Sequence, residues 1–378
     1  MIRSLLFALL PTAALVAQPL PADSTRGERL FESEHCIECH SINGRGGRTA
    51  PDLGRRIDRD FTPAALAGTM WNHAPTMWSA IRAGKVQAVN VDDQGAADLF
   101  AYFYSVRFFE KPGDSGRGKN LFTELSCAKC HGITETINPA ALPVGKWQSI
   151  GDPIALAAAM WNHSASMGAE MMNKGSLRPA LNAQDLTDLL VYLRNLTAAK
   201  TIVPSFQTTT GADGKRLFEQ KGCPHCHAAG DSAITWRLRG KTLTDVAARM
   251  WNHGSRMPQA TTHFEPGEMR EVLSYVWAEQ FFESSGDAVH GKRVFTNKRC
   301  GACHDQATDG APPLTVGARR FSEITMVSAL WRHGPIMLTL MNERKIPWPR
   351  FNTKEMSDLI AYLNTRNNNE HLLYEQKH

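Results

Sequence analysis

The sequence predicts an all-α protein assembled from four small tandem units. Three observations carry that expectation. The pentapeptide Cys-x-x-Cys-His occurs four times and uses all 8 cysteines: Cys36-Ile37-Glu38-Cys39-His40, Cys127-Ala128-Lys129-Cys130-His131, Cys223-Pro224-His225-Cys226-His227 and Cys300-Gly301-Ala302-Cys303-His304. A short amphipathic segment precedes each copy and a longer helical pattern follows it, at matching offsets every time. No run alternates apolar and polar residues as a half-buried strand does.

The leading element of each unit reads Gly27-Glu28-Arg29-Leu30-Phe31, Gly118-Lys119-Asn120-Leu121-Phe122, Gly214-Lys215-Arg216-Leu217-Phe218 and Gly291-Lys292-Arg293-Val294-Phe295. Its phenylalanine always stands five residues before the first cysteine. The Leu/Val-Phe pair marks the buried face of a helix, and the glycine marks a place where another backbone comes close. The closing element carries Tyr102, Tyr192, Tyr275 or Tyr362 among apolar residues spaced i, i+3 and i+4. Start signals such as Asn182-Ala183-Gln184-Asp185 and Asn352-Thr353-Lys354-Glu355 stand before it. The pattern predicts a first and a last helix that cross, with the tyrosine in the core.

Cys-x-x-Cys-His is the attachment signature of c-type haem. Two thiols one helical turn apart can each add across a vinyl group of the porphyrin, and the adjacent histidine then lies under the ring and ligates the iron. A single copy fits a redox dithiol or half a zinc site equally well. Four copies, at intervals of 91, 96 and 77 residues, argue for four covalent haems. Cys36, Cys39, Cys127, Cys130, Cys223, Cys226, Cys300 and Cys303 are then the attachment points, and His40, His131, His227 and His304 the proximal ligands. A porphyrin would also supply the apolar core that units of roughly 75 to 95 residues lack.

A further element repeats between the two helices: Met70-Trp71-Asn72-His73, Met160-Trp161-Asn162-His163, Met250-Trp251-Asn252-His253 and Leu330-Trp331-Arg332-His333. A methionine follows each histidine by four residues, at Met77, Met167, Met257 and Met337. These methionines lie 30 to 37 residues beyond the proximal histidine, a regularity that points to iron ligation. Residues i and i+4 share one helical face, so either His or Met can reach the iron. Gly254, Gly334, Pro75 and Pro335 follow the histidines and suggest that a helix ends there and a loop delivers Met. Met is therefore the expected sixth ligand, with His73, His163, His253 and His333 as alternatives. The choice sets the potential, because a thioether raises it and a second imidazole lowers it. The indole N–H groups of Trp71, Trp161, Trp251 and Trp331 are candidate donors to haem propionates, with packing as the alternative.

With these parts in place, each unit resembles a class I cytochrome c domain: N-terminal helix, haem motif, haem-lining loop, distal methionine and C-terminal helix with an aromatic. The resemblance covers nearly the whole chain, four times over, and the Met257-Pro258 step matches it locally. It implies electron transfer by iron cycling between ferric and ferrous states. It also implies a proline near the proximal histidine, which Pro51, Pro139 or Pro143, and Pro312 or Pro313 can supply. The third unit has none between His227 and Trp236.

The 378-residue chain opens with Arg3 and an apolar stretch from Leu5 to Val16, which reads as an export signal cleaved near Ala17, with an uncleaved anchor as the alternative. Export fits haem attachment outside the cytoplasm. No later segment approaches 18 apolar residues, so the mature chain is expected to carry no membrane span. The expected division is 1–17 signal peptide, then cytochrome c-like units at 18–111, 112–203, 204–285 and 286–378. The formal charge of +5 is offset by haem propionates, so no nucleic-acid partner is indicated. The linker from Pro204 to Gly214 is the longest and least apolar, which predicts a hinge separating units 1 and 2 from units 3 and 4. The resulting expectation is an exported relay between a redox protein donor and an acceptor, with no catalytic residue. The competing readings are a multihaem enzyme, such as a peroxidase or small-oxyanion reductase with one open haem, and a binding module with structural haems.

Overall fold

In every unit the first and last helices cross at the predicted glycine. A computed structural model describes residues 22–54, 62–86, 89–106, 112–196, 208, 212–227, 238, 241–254, 263–279, 286–305, 310–312, 314 and 320–375. The export signal at 1–17, Met257 with Pro258, and most of the 204–214 linker lie outside the described residues. Unit 1 holds α1 (Ser24–Ser33), α2 (Cys36–Cys39), α3 (Pro63–Gly84) and α4 (Asp93–Ser105). Unit 2 holds α5 (Ser115–Glu124), α6 (Pro153–Asn162), α7 (Ser164–Asn173) and α8 (Ala183–Asn195). Unit 3 holds α9 (Ala212–Gln220), α10 (Pro224–His227), α11 (Leu243–His253) and α12 (Glu268–Glu279). Unit 4 holds α13 (Ala288–Asn297), α14 (Gly301–His304), α15 (Glu323–Glu343) and α16 (Thr353–Glu375).

The helices start where the side chains allow it. Asp23, Asp114 and Asp287 cap α1, α5 and α13 by accepting from first-turn backbone N–H groups. Their own N–H groups donate to the carboxylates of Asp98, Asp188 and Asp358 on the closing helices, at 2.8, 2.8 and 2.7 Å. Arg26, Arg117 and His290 reach the same carboxylates. This polar lock holds the two helices in register. The glycine then sets their separation. A Cβ on Gly27, Gly118, Gly214 or Gly291 would sit 2.0, 2.0, 2.1 or 1.9 Å from the carbonyl oxygen of Asp98, Asp188, Glu271 or Asp358. Beside each crossing the predicted Phe and Tyr rings pack, with centroids 5.7, 5.8, 5.9 and 5.4 Å apart from unit 1 to unit 4.

A two-residue antiparallel ladder, β1 (Ser41–Ile42) with β2 (Arg45–Gly46), follows the first haem motif. Sequence reading overlooked it. Its turn is Asn43-Gly44, both at positive φ (51° and 88°), the pairing that a tight hairpin turn requires.

The units pair as 2 with 3 and 1 with 4, rather than as 1 with 2 and 3 with 4. Unit 2 packs on unit 3 through α6 against α11, and unit 1 packs on unit 4 through α3 against α15. The expected hinge between units 2 and 3 is overturned by this interface. Asn252 donates to Leu181 O at 2.6 Å and accepts from Leu181 N at 2.8 Å. Asn162 does the same to Phe264, at 2.7 and 3.0 Å. Arg270 of unit 3 pairs with the buried Asp152 of unit 2. In the other pair Asn72 clamps Phe351 at 2.7 and 2.8 Å. Arg332 stands at the fourth Asn position and faces Asp93 of unit 1 at 3.7 Å, while Ser328 also donates to Asp93. The two pairs meet where Tyr104 of unit 1 packs on Trp277 of unit 3, centroids 4.2 Å apart, and accepts from Leu243 N. The linker's Thr208 is itself tied to unit 1, its carbonyl accepting from Ser24 Oγ at 3.1 Å.

Two stability changes follow. Gly118→Ala forces α5 off the Asp188 carbonyl and should lower unfolding stability by about 1–3 kcal/mol, read as a lower denaturation midpoint. Asn252→Ala leaves the peptide groups of buried Leu181 unpaired and should cost about 1–3 kcal/mol in the same measurement. An unchanged midpoint in either variant would contradict the corresponding contact.

Candidate haem sites

The haem motif is presented the same way in all four units. The residue before the first cysteine is left-handed in each: His35 (φ 61°), Ser126 (66°), Gly222 (72°) and Arg299 (61°). This reversal ends the leading helix and starts a single new turn. Across that turn the histidine N–H of His40, His131, His227 and His304 donates to the first cysteine's carbonyl at 2.9, 2.9, 3.1 and 3.1 Å. Both cysteines and the histidine therefore lie on one side of a helical turn, as two-point attachment requires. Only one of the four reversals uses glycine, so sequence reading had no signal for it.

Burial pushes the Cys36 thiol up to about 12, the Cys127 and Cys300 thiols up to about 11, and Cys223 in the same direction. Among the described residues no three His, Cys, Asp or Glu side chains are brought together to hold a metal ion by themselves, the arrangement that a zinc site would need.

Three of the four motif histidines are oriented through Nδ1. Nδ1 of His40 donates to Pro51 O at 2.9 Å, that of His131 to Leu142 O at 2.9 Å, and that of His304 to Pro312 O at 2.8 Å. This leaves Nε2 for iron. The acceptors sit on the prolines that the resemblance implied, or directly before one: Pro51, Pro312, and Leu142 ahead of Pro143. Asp52, which sequence reading missed, holds the first of these loops. Its carboxylate accepts from Ser41 Oγ, Asn43 N, Gly44 N and Gly54 N at 2.9, 3.0, 2.7 and 2.8 Å. Burial opposes its charge, but these four bonds outweigh it and hold the carboxyl below the usual carboxylate range.

On the distal side the structure departs from the expected helix ends. α3 runs through Pro75 and α15 through Pro335, so His73 and Met77, and His333 and Met337, stay on continuous helices. Only in units 2 and 3 does a helix boundary fall near the histidine. The rings of His73, His163 and His253 face those of His40, His131 and His227 at centroid separations of 6.2, 6.3 and 5.8 Å. Two metal–imidazole bonds of about 2 Å each, with half a ring at either end, span roughly that distance. Among the described residues no such ring contact joins His304 and His333. Met77 packs instead beside Ala74, Trp78 and Leu330 in the unit 1–unit 4 interface.

Unit 2, described over residues 112–196, contains a cavity of about 570 Å³. Its lining includes Cys127, Cys130 and His131 of the haem motif, His163, Met167 and Met171, and the apolar Phe122, Leu156, Leu189 and Leu193. Such a slot fits a large, flat, apolar group with a metal at its centre. Burial pushes the His163 imidazole pKa down, favouring the neutral form that ligates.

Two of the four tryptophans use their indole N–H elsewhere than on a propionate. The indole N–H of Trp71 donates to Pro349 O of unit 4 and that of Trp251 to Pro179 O of unit 2, both at 2.9 Å. These two are used between units, not on a propionate. Trp161 lies against Gly254 of unit 3. Trp331 Nε1 is buried with no hydrogen-bond partner and so remains a donor that a propionate could satisfy.

The cytochrome c family profile matches residues 24–107, 115–197 and 288–367. The chain belongs to the cytochrome c family. No curated protein and no solved structure matches it. Membership implies covalently bound c-type haem, and with it haem-based electron transfer. The matched ranges of this cytochrome coincide with units 1, 2 and 4. Unit 3 lies outside them, yet repeats the glycine crossing, the Phe218–Tyr275 contact and the facing His227 and His253 rings. No helix among the described residues is long and apolar enough to cross a membrane.

Proposed function

We propose that this cytochrome is an exported relay carrying electrons between two redox proteins through four covalently held haems, one in each repeat. The observation that carries the reading is the facing pair of imidazoles in units 1 to 3. A centre held by two protein ligands has no position for a substrate and is suited to electron exchange alone. When bound, the haems supply a reversible one-electron couple. The chain contributes the rest. Cys36 and Cys39, with their counterparts, hold the ring covalently, and carbonyls such as Pro51 O fix the proximal imidazole tautomer. Buried apolar side chains exclude water. His73, His163 and His253 are the sixth ligands in this reading, in place of the methionines. In the fourth unit His333 and Met337, one turn apart on α15, are both available. Cleavage near Ala17 and four cytochrome c domains at 18–111, 112–203, 204–285 and 286–378 belong to the same proposal.

A second reading rests on unit 4, where the facing imidazoles are missing. There one centre would keep an open position for peroxide or a small oxyanion, with the other three feeding it electrons. Carbon monoxide separates the two. The relay leaves the reduced protein's spectrum unchanged under CO, whereas an open fourth centre shifts a quarter of the Soret absorption.

Two further outcomes test the proposal. The denatured holoprotein should retain its colour and exceed the mass of its polypeptide by four haem groups. Three or fewer, after expression with a working attachment system, would count against one haem per repeat. In unit 1, His73→Ala should abolish the six-coordinate low-spin spectrum of one haem, while Met77→Ala leaves ligation intact. The reverse result would restore the methionine assignment. Two imidazoles also place the potentials of units 1 to 3 below those of His/Met cytochromes, which a potentiometric titration reads directly.

A further inference from the structure

The cavity of unit 2 is closed by a residue that unit 2 does not own. Trp251 belongs to α11 of unit 3, two residues before His253, and its ring forms part of the wall of the unit 2 cavity beside Pro179 and Leu181. It is almost wholly buried, at 1% exposure. Its seat is built from three sides. Its indole N–H donates to Pro179 O at 2.9 Å, the Arg178 guanidinium lies over its ring at 3.6 Å, and Arg178 also donates to its backbone carbonyl. The neighbouring Asn252 fixes the register on Leu181 at both peptide groups. Phe122 and Trp147 also line the cavity, but both come from unit 2 itself.

We propose that Trp251 couples the second redox centre to the third, an inference that rests on the relay reading above. Electronic coupling across a protein falls steeply over through-space gaps and more gently through covalent bonds and π systems. From the unit 2 cavity the indole offers a π surface in contact with whatever fills the slot. Two peptide links then lead along α11 to His253, whose ring faces His227. In the step, one electron leaves the ferrous second centre and reduces the ferric third. No bond forms or breaks, no proton moves, and the indole stays closed-shell throughout. The pairing of units 2 and 3 is thereby given a function. The same device recurs in the other pair, where Trp71 donates to Pro349 O, stacks on Trp348 at 5.3 Å and is followed by the Asn72 clamp.

The test uses the full-length holoprotein with its haems, as wild type, Trp251→Leu and Trp251→Phe. Two-dimensional exchange NMR of the partly reduced protein, with haem methyl signals assigned by unit, gives the exchange rate between each pair of centres. Titration gives the potentials. Trp251→Leu should slow exchange between centres two and three by roughly an order of magnitude. Exchange between centres one and four, and the potentials of centres two and three, should stay as in the wild type. Trp251→Phe keeps the π surface without the N–H and should restore most of the rate. The inference fails if Trp251→Leu exchanges as fast as the wild type. It also fails if Trp251→Phe is as slow as Trp251→Leu, because the indole would then act only as a hydrogen-bonded wedge. Failure of the relay reading looks different: the wild type itself would show no reversible one-electron titration of its haems.

Discussion

The assembly depends on one interaction made three times, the two-way hydrogen bonding between a side-chain amide and a single backbone residue of another unit. Asn72, Asn162 and Asn252 each donate to the carbonyl and accept from the N–H of Phe351, Phe264 and Leu181. An amide side chain sets an N–H donor beside a carbonyl acceptor at the spacing of a peptide, so it fixes register as a strand partner would. In every case the next residue in the chain is the histidine whose ring faces that of the haem motif. Docking of one unit on another and placement of that histidine are therefore set by adjacent residues on one helix. In unit 4 the amide is replaced by Arg332, which meets Asp93 through charge instead.

Within each unit the leading and closing helices approach as closely as two backbones can, because a glycine leaves no Cβ between them. The Asp98, Asp188 and Asp358 carboxylates hold that contact from one side and the Phe–Tyr packing from the other. The contact brings the reversal before the first cysteine to the same place each time. Small units with thin cores can thus present their attachment turns reproducibly while leaving an apolar slot such as the 570 Å³ cavity of unit 2.

Pro75 shows how a correct local observation can point to the wrong structure. A proline two residues after His73 reads as the end of a helix, yet α3 continues for nine more residues to Gly84. Proline has no N–H, so the carbonyl of Trp71, four residues back, loses its helical donor. Trp348 of unit 4 supplies the missing bond, its indole N–H donating to Trp71 O at 3.0 Å. The proline opens a docking position in a helix that does not stop. With the helix intact, the histidine faces its proximal counterpart, and Met77 turns to the interface.

Sequence alone determined whatever lies within a turn or two of itself. The attachment motif, the Phe five residues ahead of it, the glycine of the crossing and the tyrosine of the closing helix were all legible, because helical periodicity and covalent chemistry act over a few residues. The Asn43-Gly44 hairpin was legible too and was overlooked. Which unit lies against which was decided only by tertiary structure. The partners Asn72 and Phe351 stand 279 residues apart, and Asn162 and Phe264 stand 102 apart. No period in the chain encodes such a match, since it depends on shape and on hydrogen-bond complementarity between finished surfaces. The same cause separates His from Met at the distal side. Both lie on one helical face by spacing, and only the packing of that helix against its neighbour decides which side chain is left facing the proximal ring.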